Sequence, residues 1–339
     1  MLEDKELKIK FPNYFPAVDL MRGEFIDQRF FAIASLFKML DIKCSAQSDN
    51  LQENILFGEH NNYPFFLRSL LKPIQASIMA DYSTQNYFQF SDEELAIMQA
   101  SHSGEKIHTA LIESILNKAG LNESYLQCPE ISPLNPDVLK LGDKPKKIHN
   151  NCSGKHSMML AASKQLDFPL DGYTNIHHPL QKLIKDKIIE LSEFSNPPQT
   201  LDGCTVPVWA LPFKNIALAF FKLYNDKKYN FLKTAYMKNP YTIGGTDASG
   251  YRQDTHIMQL NSDLISKTGA GGFLSVYNNK RNEFLLIKMA QDNNKIRLLL
   301  AMDILKQLGW IYDNPCDYNF YNENNNPVGV YRVNFNFNV

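Results

Sequence analysis

Hydrophobic and polar residues alternate over short stretches at both ends of the chain. The first 60 residues contain short apolar runs such as FFAIASLF between polar turns, a pattern that predicts strands. The last stretch, VGVYRVNFNFNV, alternates in the same way and predicts a final strand. The Asn-rich NENNNP at 322–327 precedes it and predicts a hairpin connection.

The middle of the chain has the spacing of helices. One helix is predicted from near Arg68 to about Ala80, with Pro73 tolerated because a first-turn amide has no intrahelical partner to lose. Another begins at Ser91, because Ser91 and Glu94 have the spacing of a capping box.

Further helices are predicted along the chain. A break at SHSG (101–104) separates the capped helix from one that ends near Gly120. Helices are also predicted over 178–194, with Pro179 at the first position, and over 211–224 and 294–310. Residues 264–290 predict a strand, a Gly-rich turn and a hairpin.

Strands at both ends with helices between them favour an α/β sandwich, in which helices flank a mainly antiparallel sheet. A doubly wound parallel sheet is disfavoured. No linker interrupts the chain, so residues 1–339 are predicted to form a single domain, possibly two-lobed, with a helical lobe at roughly 90–240.

Composition narrows the class of protein. The chain has 339 residues, is 44% hydrophobic and carries a formal net charge of -1, so nothing favours nucleic acid or acidic membranes as partners. MLEDKELKIKF lacks the apolar core of a signal peptide, and no apolar run is long enough to span a bilayer.

An odd number of cysteines argues against a disulfide framework; they are Cys44, Cys128, Cys152, Cys204 and Cys316. A soluble cytoplasmic protein is the expectation.

Ser69 and Lys72 lie three residues apart on the first predicted helix. A neutral lysine can take the proton of a serine hydroxyl, and burial favours the neutral form. Lys267, Thr268 and Gly269 come late in the chain, at a predicted strand end. The combination is typical of penicillin-binding proteins and class A β-lactamases, although their Ser-Asp-Asn element has no clear counterpart. Taken alone, Ser69 and Lys72 are explained by a solvated lysine beside a capping serine. The Lys-Thr-Gly run at 267–269 is explained by an ordinary turn between strands.

A further polar stretch lies at a predicted break between two helices. QASHSGEKIH (99–108) places Ser101, His102, Ser103 and Glu105 beside a glycine, where side chains and backbone amides are open to a pocket. Helix capping explains the serines equally well, and a structural or surface role is the preferred interpretation of His108.

The stretch IHNNCSGKHSMMLAA (148–162) holds Cys152, Lys155 and His156, and LDGCTVP (201–207) holds Asp202 and Cys204. Two thiolates and a nitrogen could close a metal site, but the spacing is not that of a zinc finger. Spacing alone favours two buried free thiols. Arg68, beside Ser69, could bind a carboxylate or form a structural ion pair.

Six motifs occur here in the order RSLLKPIQA, ASHSGEKIH, NNCSGKHSMMLAA, HHPLQ, LDGC and KTGAGG. In this order the chain resembles the asparaginase II family of the Rhizobium etli inducible type, over roughly residues 65–310. The similarity is strongest over 91–181, and NNCSGKH is its most specific motif. The family is distinct from bacterial asparaginases with threonine nucleophiles.

The resemblance implies a serine-dependent amidohydrolase with a β-lactamase/glutaminase-like fold, acting on L-asparagine as a homodimer. It implies two serine–lysine pairs, Ser69 with Lys72 and Ser101 with Lys267. Ser69 would attack the amide, with Lys72 as base and Ser101 and Lys267 in support.

The resemblance also implies a zinc ion held by Cys152, Lys155 and Cys204. Arg68, His156 and Asp202 fall on its substrate-binding positions.

Two positions depart from the family's pattern. Gly271 stands where the family usually has an acidic residue, and Asp27-Gln28 replaces a Glu-Ser pair. Both changes could alter the charge of the pocket, and they bear on the substrate more than on the Ser/Lys machinery. The alternatives are a related serine hydrolase that acts on glutamine or a β-lactam, and a non-catalytic amino-acid-binding homologue.

Overall fold

A computed structural model describes residues 10–40 and 48–336, so Cys44 lies outside the described residues. The strands are β1 (Phe15–Arg22), β2 (Phe25–Met39), β3 (Leu51–Phe57), β4 (Phe65–Phe66), β5 (Gln199–Leu201), β6 (Pro207–Leu211), β7 (Thr246–Asp247), β8 (Gly250–Tyr251), β9 (Leu264–Gly269), β10 (Phe273–Asn278), β11 (Glu283–Met289), β12 (Asn319–Tyr321) and β13 (Pro327–Val333).

The α-helices are α1 (Lys72–Ala76), α2 (Ile78–Asp81), α3 (Thr84–Tyr87), α4 (Asp92–Ile97), α5 (Lys106–Lys118), α6 (Ser153–Gln165), α7 (Pro179–Ser192), α8 (Phe213–Asn225), α9 (Asn230–Lys238), α10 (Pro240–Gly244), α11 (Gln253–Leu260) and α12 (Asn294–Gln307). Short 3₁₀ turns lie between them, and one of these, Arg68–Leu71, leads into α1.

The main sheet brings strands from the two ends of the chain together. Its order is β12-β13-β1-β2-β11-β10-β9, and β3 also pairs with β2. Every pairing in it is antiparallel. Ala32 of β2 faces Phe15 of β1 on one edge and Met289 of β11 on the other. The predicted antiparallel α/β sandwich is therefore confirmed.

Hydrophobic side chains cover both faces of this sheet. Alternation along β9 sends Ile265 into a large core shared with the helices of the middle segment, and Leu264 into a smaller core against α12. By the same alternation, Lys267 lies on the side of the larger core. β9 is the last strand in the sheet order, so its free edge is open to side chains from neighbouring helices.

Local signals predicted most of the helices well. Ser91 and Glu94 form the predicted capping box at the start of α4. Pro179 is the first residue of α7, and Gly120 follows α5 with a φ of 69°. The predicted Asn-rich connection joins β12 to β13 as a hairpin. No helix in the described part of the chain is both long and apolar enough to cross a bilayer.

The prediction of one continuous helix from near Arg68 to about Ala80 was wrong. The segment is divided into a 3₁₀ turn, α1 and α2. Arg68 has a φ of 52°, which no α-helical residue adopts. At the second break, the Ser77 hydroxyl donates to the Ile74 carbonyl at 2.7 Å, and this competes with the regular helical ladder.

Candidate active site

Lys72 begins α1 and is completely buried. Its Nζ lies 2.7 Å from Ala100 O, 2.9 Å from Asn151 O and 3.0 Å from Ser101 Oγ. Burial lowers the pKa of Lys72, and this favours the neutral amine. A neutral amine has two hydrogens for the two carbonyls and a lone pair for the Ser101 hydroxyl.

Lys267 reaches the same hydroxyl from β9. Its Nζ lies 3.0 Å from Ser101 Oγ, 2.7 Å from Thr268 O and 3.4 Å from Asp254 Oδ2. Burial lowers the pKa of Lys267 to about 8. Ser101 Oγ therefore lies between two buried amines, and the predicted pairing of Ser101 with Lys267 is present in the structure.

The backbone of Ser101 is held on both sides. Its N–H donates to Ile243 O at 3.2 Å, and its carbonyl accepts a hydrogen bond from the Arg252 guanidinium. The predicted break between α4 and α5 thus places Ser101 at a fixed point between the helical layer and β9. Its side chain is almost fully enclosed, with a residue exposure of 3%.

Ser69 differs from Ser101 in exposure and in contacts. It is half-buried in the 3₁₀ turn, and within the described residues its hydroxyl has no hydrogen-bond partner. The expected pairing of Ser69 with Lys72 is therefore absent from this structure. The physical reason is competition, since Ala100, Ser101 and Asn151 occupy every hydrogen-bonding direction of the Lys72 amine.

The histidines of the 101–108 segment have structural contacts. The Gly104 N–H donates to His102 Nδ1 at 3.2 Å, so His102 carries its proton on Nε2, 3.0 Å from Ser153 Oγ. His108 Nδ1 accepts from the N–H of Glu105 at the start of α5. These bonds fix the break that carries Ser101, in agreement with the structural role preferred for His108.

A second group of predicted residues lies beside the first. Arg68 forms an ion pair with Asp202, and the Gly203 N–H donates to the Asp202 carboxylate at 2.8 Å. Burial acts to raise the pKa of Asp202, but the Lys155 and Arg68 charges hold it below its ordinary value. The Arg68 side chain is 39% exposed, so solutes can reach the pair.

His156 lies deeper in the protein than this ion pair. Its Nδ1 is 2.7 Å from the Tyr173 hydroxyl, which accepts the Gln127 N–H at 2.9 Å. The Tyr173 proton therefore points to Nδ1, and the imidazole carries its own proton on Nε2. That nitrogen has no partner among the described residues. Burial lowers the pKa of His156 to about 3, so the ring is neutral at neutral pH.

Cys152, Lys155 and Cys204 meet in one buried place. Lys155 Nζ lies 3.1 Å from Cys204 Sγ. A hydrogen bond from Cys152, together with the Lys155 charge, lowers the pKa of Cys204 to about 5. Although burial favours a neutral amine, the two sulfurs raise the pKa of Lys155. Sequence spacing alone favours two buried free thiols; both cysteines are free and buried, and the structure also brings them together beside Lys155.

Thiolates are common zinc ligands, whereas a lysine amine is a rare one because it must first lose its proton. Among residues 10–40 and 48–336, no three His, Cys, Asp or Glu side chains are grouped closely enough to hold a metal. The predicted set contains only two such side chains, both of them cysteines, with Lys155 as its third member.

One departure from the family's pattern, Gly271, lies in a turn. The other, Asp27-Gln28, lies on an exposed part of β2. Gly271 has a φ of 79° between β9 and β10, and its N–H donates to the Asp292 carboxylate at 2.7 Å. A carboxylate from elsewhere in the chain thus reaches this turn. Asp27 forms an exposed ion pair with Arg22, at 2.8 Å.

Two charged residues at this site carry no signal in the sequence. Arg252 and Asp254 stand at the start of α11, where the first contacts the Ser101 carbonyl and the second contacts Lys267. No motif marks them, and they are remote in sequence from Ser101. Only the packing of α11 against β9 shows that they belong to the site.

Comparison with family models gives a match to L-asparaginase II over residues 48–331. This extends beyond the stretch of about 65–310 over which motifs carried the resemblance. Comparison with curated proteins gave no match.

Proposed function

Because the chain belongs to the L-asparaginase II family, a family of hydrolases that act on a linear amide, we propose that it hydrolyses L-asparagine through a serine acyl-enzyme. The observation that carries the proposal is the hydroxyl of Ser101 between the buried amines of Lys72 and Lys267. Two amines with lowered pKa on one hydroxyl are suited to proton transfer.

Ser69 is the proposed nucleophile. Attack on a substrate carbon needs an oxygen that the substrate can reach, and Ser69 is half-buried, with a hydroxyl that has no hydrogen-bond partner among the described residues. Ser101, at 3% exposure, is enclosed by the two amines that contact it. Substrate binding must then lead Lys72 to exchange its Ser101 contact for Ser69, a rearrangement consistent with catalytic contacts that tighten only in the complex.

The proposed reaction has two stages. Ser69 Oγ attacks the side-chain amide carbon while neutral Lys72 takes its proton, and Ser101 and Lys267 relay protons so that ammonia can leave. Water then attacks the β-aspartyl ester and gives a proton to Lys72, which passes it to the departing Ser69 oxygen as aspartate is released. Lys267 must be neutral when it accepts a proton in the relay.

The substrate's charges match the ion pair beside Ser69. Asp202 would bind the α-ammonium and Arg68 the α-carboxylate, since the planar guanidinium suits a carboxylate. His156 is neutral and carries its proton on Nε2, so it would act as a hydrogen-bond donor rather than as a cation. This arrangement favours a free amino acid over an amide inside a peptide.

A direct test is ammonia release from L-asparagine, with L-glutamine and a chromogenic β-lactam as competing substrates. The proposal expects turnover of asparagine in preference to both. Acid quenching during turnover, followed by peptide mass spectrometry, locates the β-aspartyl group. Labelling of Ser69 supports the mechanism, whereas labelling of Ser101 would assign attack to the serine that contacts both lysines.

A zinc site at Cys152, Lys155 and Cys204 is part of the proposal. The closeness of Lys155 and Cys204 and the thiolate character of Cys204 support it. A bound zinc would supply a fixed positive charge beside the turn that carries Asp202. Metal analysis of the purified protein should find zinc, and Cys204→Ala should lose it while Cys316→Ala, at a half-buried thiol elsewhere, keeps it. Protein that stays free of zinc after supplementation would contradict this.

We further propose a homodimer, on the basis of the family resemblance. Light scattering coupled to gel filtration measures the mass directly, and the monomer has a mass of 38.9 kDa. A mass that stays at the monomer value at micromolar concentration would refute a stable dimer.

A further inference from the structure

Asp254 is a buried carboxylate that the proposed mechanism leaves without a role. It is the second residue of α11 and is 2% exposed. A buried carboxylate is costly unless charges or hydrogen bonds compensate it. The groups that compensate Asp254 therefore indicate what it does.

Three consecutive residues of β9 contact this one carboxylate. The Ser266 hydroxyl donates to Oδ1 at 3.1 Å, and the Thr268 hydroxyl donates to Oδ2 at 2.8 Å. Lys267 Nζ lies 3.4 Å from Oδ2. Ser266 and Thr268 therefore contact Asp254 through their hydroxyls, while the Lys267 amine contacts both Asp254 and Ser101.

The charge around Lys267 is predominantly positive. The charged and titratable groups that act on it are Lys72 from α1 and Arg252 and Asp254 from the start of α11. Tyr236 from α9 and Arg297 from α12 contact the neighbouring backbone carbonyls of β9, at Ser266 and Gly269. Tyr236 is neutral because burial raises its pKa, and its hydroxyl donates to the Ser266 carbonyl. Asp254 is the carboxylate of this group and the direct anionic contact of Lys267.

We propose that Asp254 is the positioning residue of Lys267, holding its amine against Ser101 Oγ and opposing the positive charge of Arg252. The contact has two consequences. It fixes where the Lys267 nitrogen stands, and it keeps Lys267 from losing its proton too readily. The benefit of this contact for catalysis rests on the proposed function. Its effect on the position and the pKa of Lys267 does not.

A purely structural role for Asp254 makes a different prediction. An acid in the first turn of a helix stabilises that helix through its dipole, and Asp254 also offsets the buried charges of Arg252 and Arg297. If Asp254 had only this role, its replacement would lower the free energy of unfolding and the amount of active protein. It does not move the pH at which Lys267 titrates.

The experiment compares Asp254→Asn, Asp254→Glu and the control Asp263→Asn, which makes the same chemical change in the turn leading into β9. Lysine side-chain ¹⁵N resonances give the titration midpoint of Lys267, with Lys267→Arg identifying its signal. The pH dependence of kcat for ammonia release is measured on the same proteins.

In Asp254→Asn the midpoint of Lys267 should move to lower pH by about 1 to 3 pH units, because the opposite charge beside it is gone. Its kcat should fall by about tenfold or more, because a small misplacement of a catalytic group is costly. Asp254→Glu keeps the charge and should keep the midpoint near the wild-type value, with a lower kcat. Asp263→Asn should match the wild type in both.

An unchanged Lys267 midpoint in folded Asp254→Asn would overturn the proposal. If the midpoint moves but wild-type protein releases no ammonia from asparagine, the proposed function fails while the role of Asp254 stands. If Asp254→Asn does not fold, Thr268→Val serves in its place. Loss of that hydroxyl concentrates the negative charge on Asp254, so the Lys267 midpoint should rise, and an unchanged midpoint would again overturn the proposal.

Discussion

At the scale of single residues, the protonation state of Lys267 should determine the pH dependence of the proposed reaction. Burial lowers its pKa to about 8, and its neutral form, which the proton relay needs, increases as pH rises through that value. We therefore expect kcat/KM to rise with pH through a midpoint near 8, measured as ammonia release. Lys267→Met should lose this limb and lower kcat by about 10²- to 10⁴-fold. A wild-type profile that falls with pH over the same range would contradict the role of the neutral amine.

The Arg68–Asp202 ion pair should control substrate affinity more than the chemical step. Arg68→Gln and Asp202→Asn should each raise KM for asparagine by about tenfold or more, because a hydrogen bond to a charged group contributes about 1.5–3 kcal/mol. The matched control is Arg22→Gln, which breaks the exposed ion pair of Arg22 with Asp27. Steady-state kinetics with unchanged KM in the Asp202 variant would remove Asp202 from the substrate site.

At the scale of elements, α6 packs unusually closely on the end of α4. A methyl group added at Gly154 would overlap the Ile97 carbonyl, so Gly154→Ala should lower the free energy of unfolding by about 1–3 kcal/mol despite the better helix propensity of alanine. Ser163→Ala on the same helix is the control, because its buried hydroxyl has no hydrogen-bond partner within residues 10–40 and 48–336 and its loss should be neutral or stabilising. Urea unfolding of both variants measures the difference.

The elements differ in how far sequence alone could predict them. The capping box at Ser91, Pro179 at the start of α7 and the Asn-rich hairpin carry local signals, and each was predicted correctly. The break at Ser77 depends on which carbonyl a side chain selects, and helical spacing does not report it. The site shows the same limit, because the contacts of Lys72 with Ala100, Ser101 and Asn151 come from chain packing.

Across the whole molecule, Glu105 joins segments that are distant in sequence. Its carboxylate accepts hydrogen bonds from the hydroxyls of Ser103, Tyr241 and Thr246 and from the side-chain amide of Asn135. These groups belong to the break before α5, to a loop, to α10 and to β7. Together they anchor the segment that presents Ser101, so the charge of Glu105 should affect global stability and the integrity of the site.

The sign of this effect follows from the pKa of Glu105. Burial acts to raise it, but the hydrogen bonds from Thr246, Ser103 and Tyr241 lower it from 4.5 to about 2. A group with a lowered folded-state pKa stabilises the fold above its unfolded pKa, and this stability is lost as pH falls from about 4.5 toward 2. Between pH 7 and pH 3 the loss from this one group is about 2 kcal/mol. Glu105→Gln should therefore show a correspondingly smaller difference in urea unfolding between these two pH values. Glu113→Gln, at an exposed position on the same helix, should keep the full wild-type difference, and equal pH dependence in all three proteins would contradict the role of Glu105 as the link between these segments.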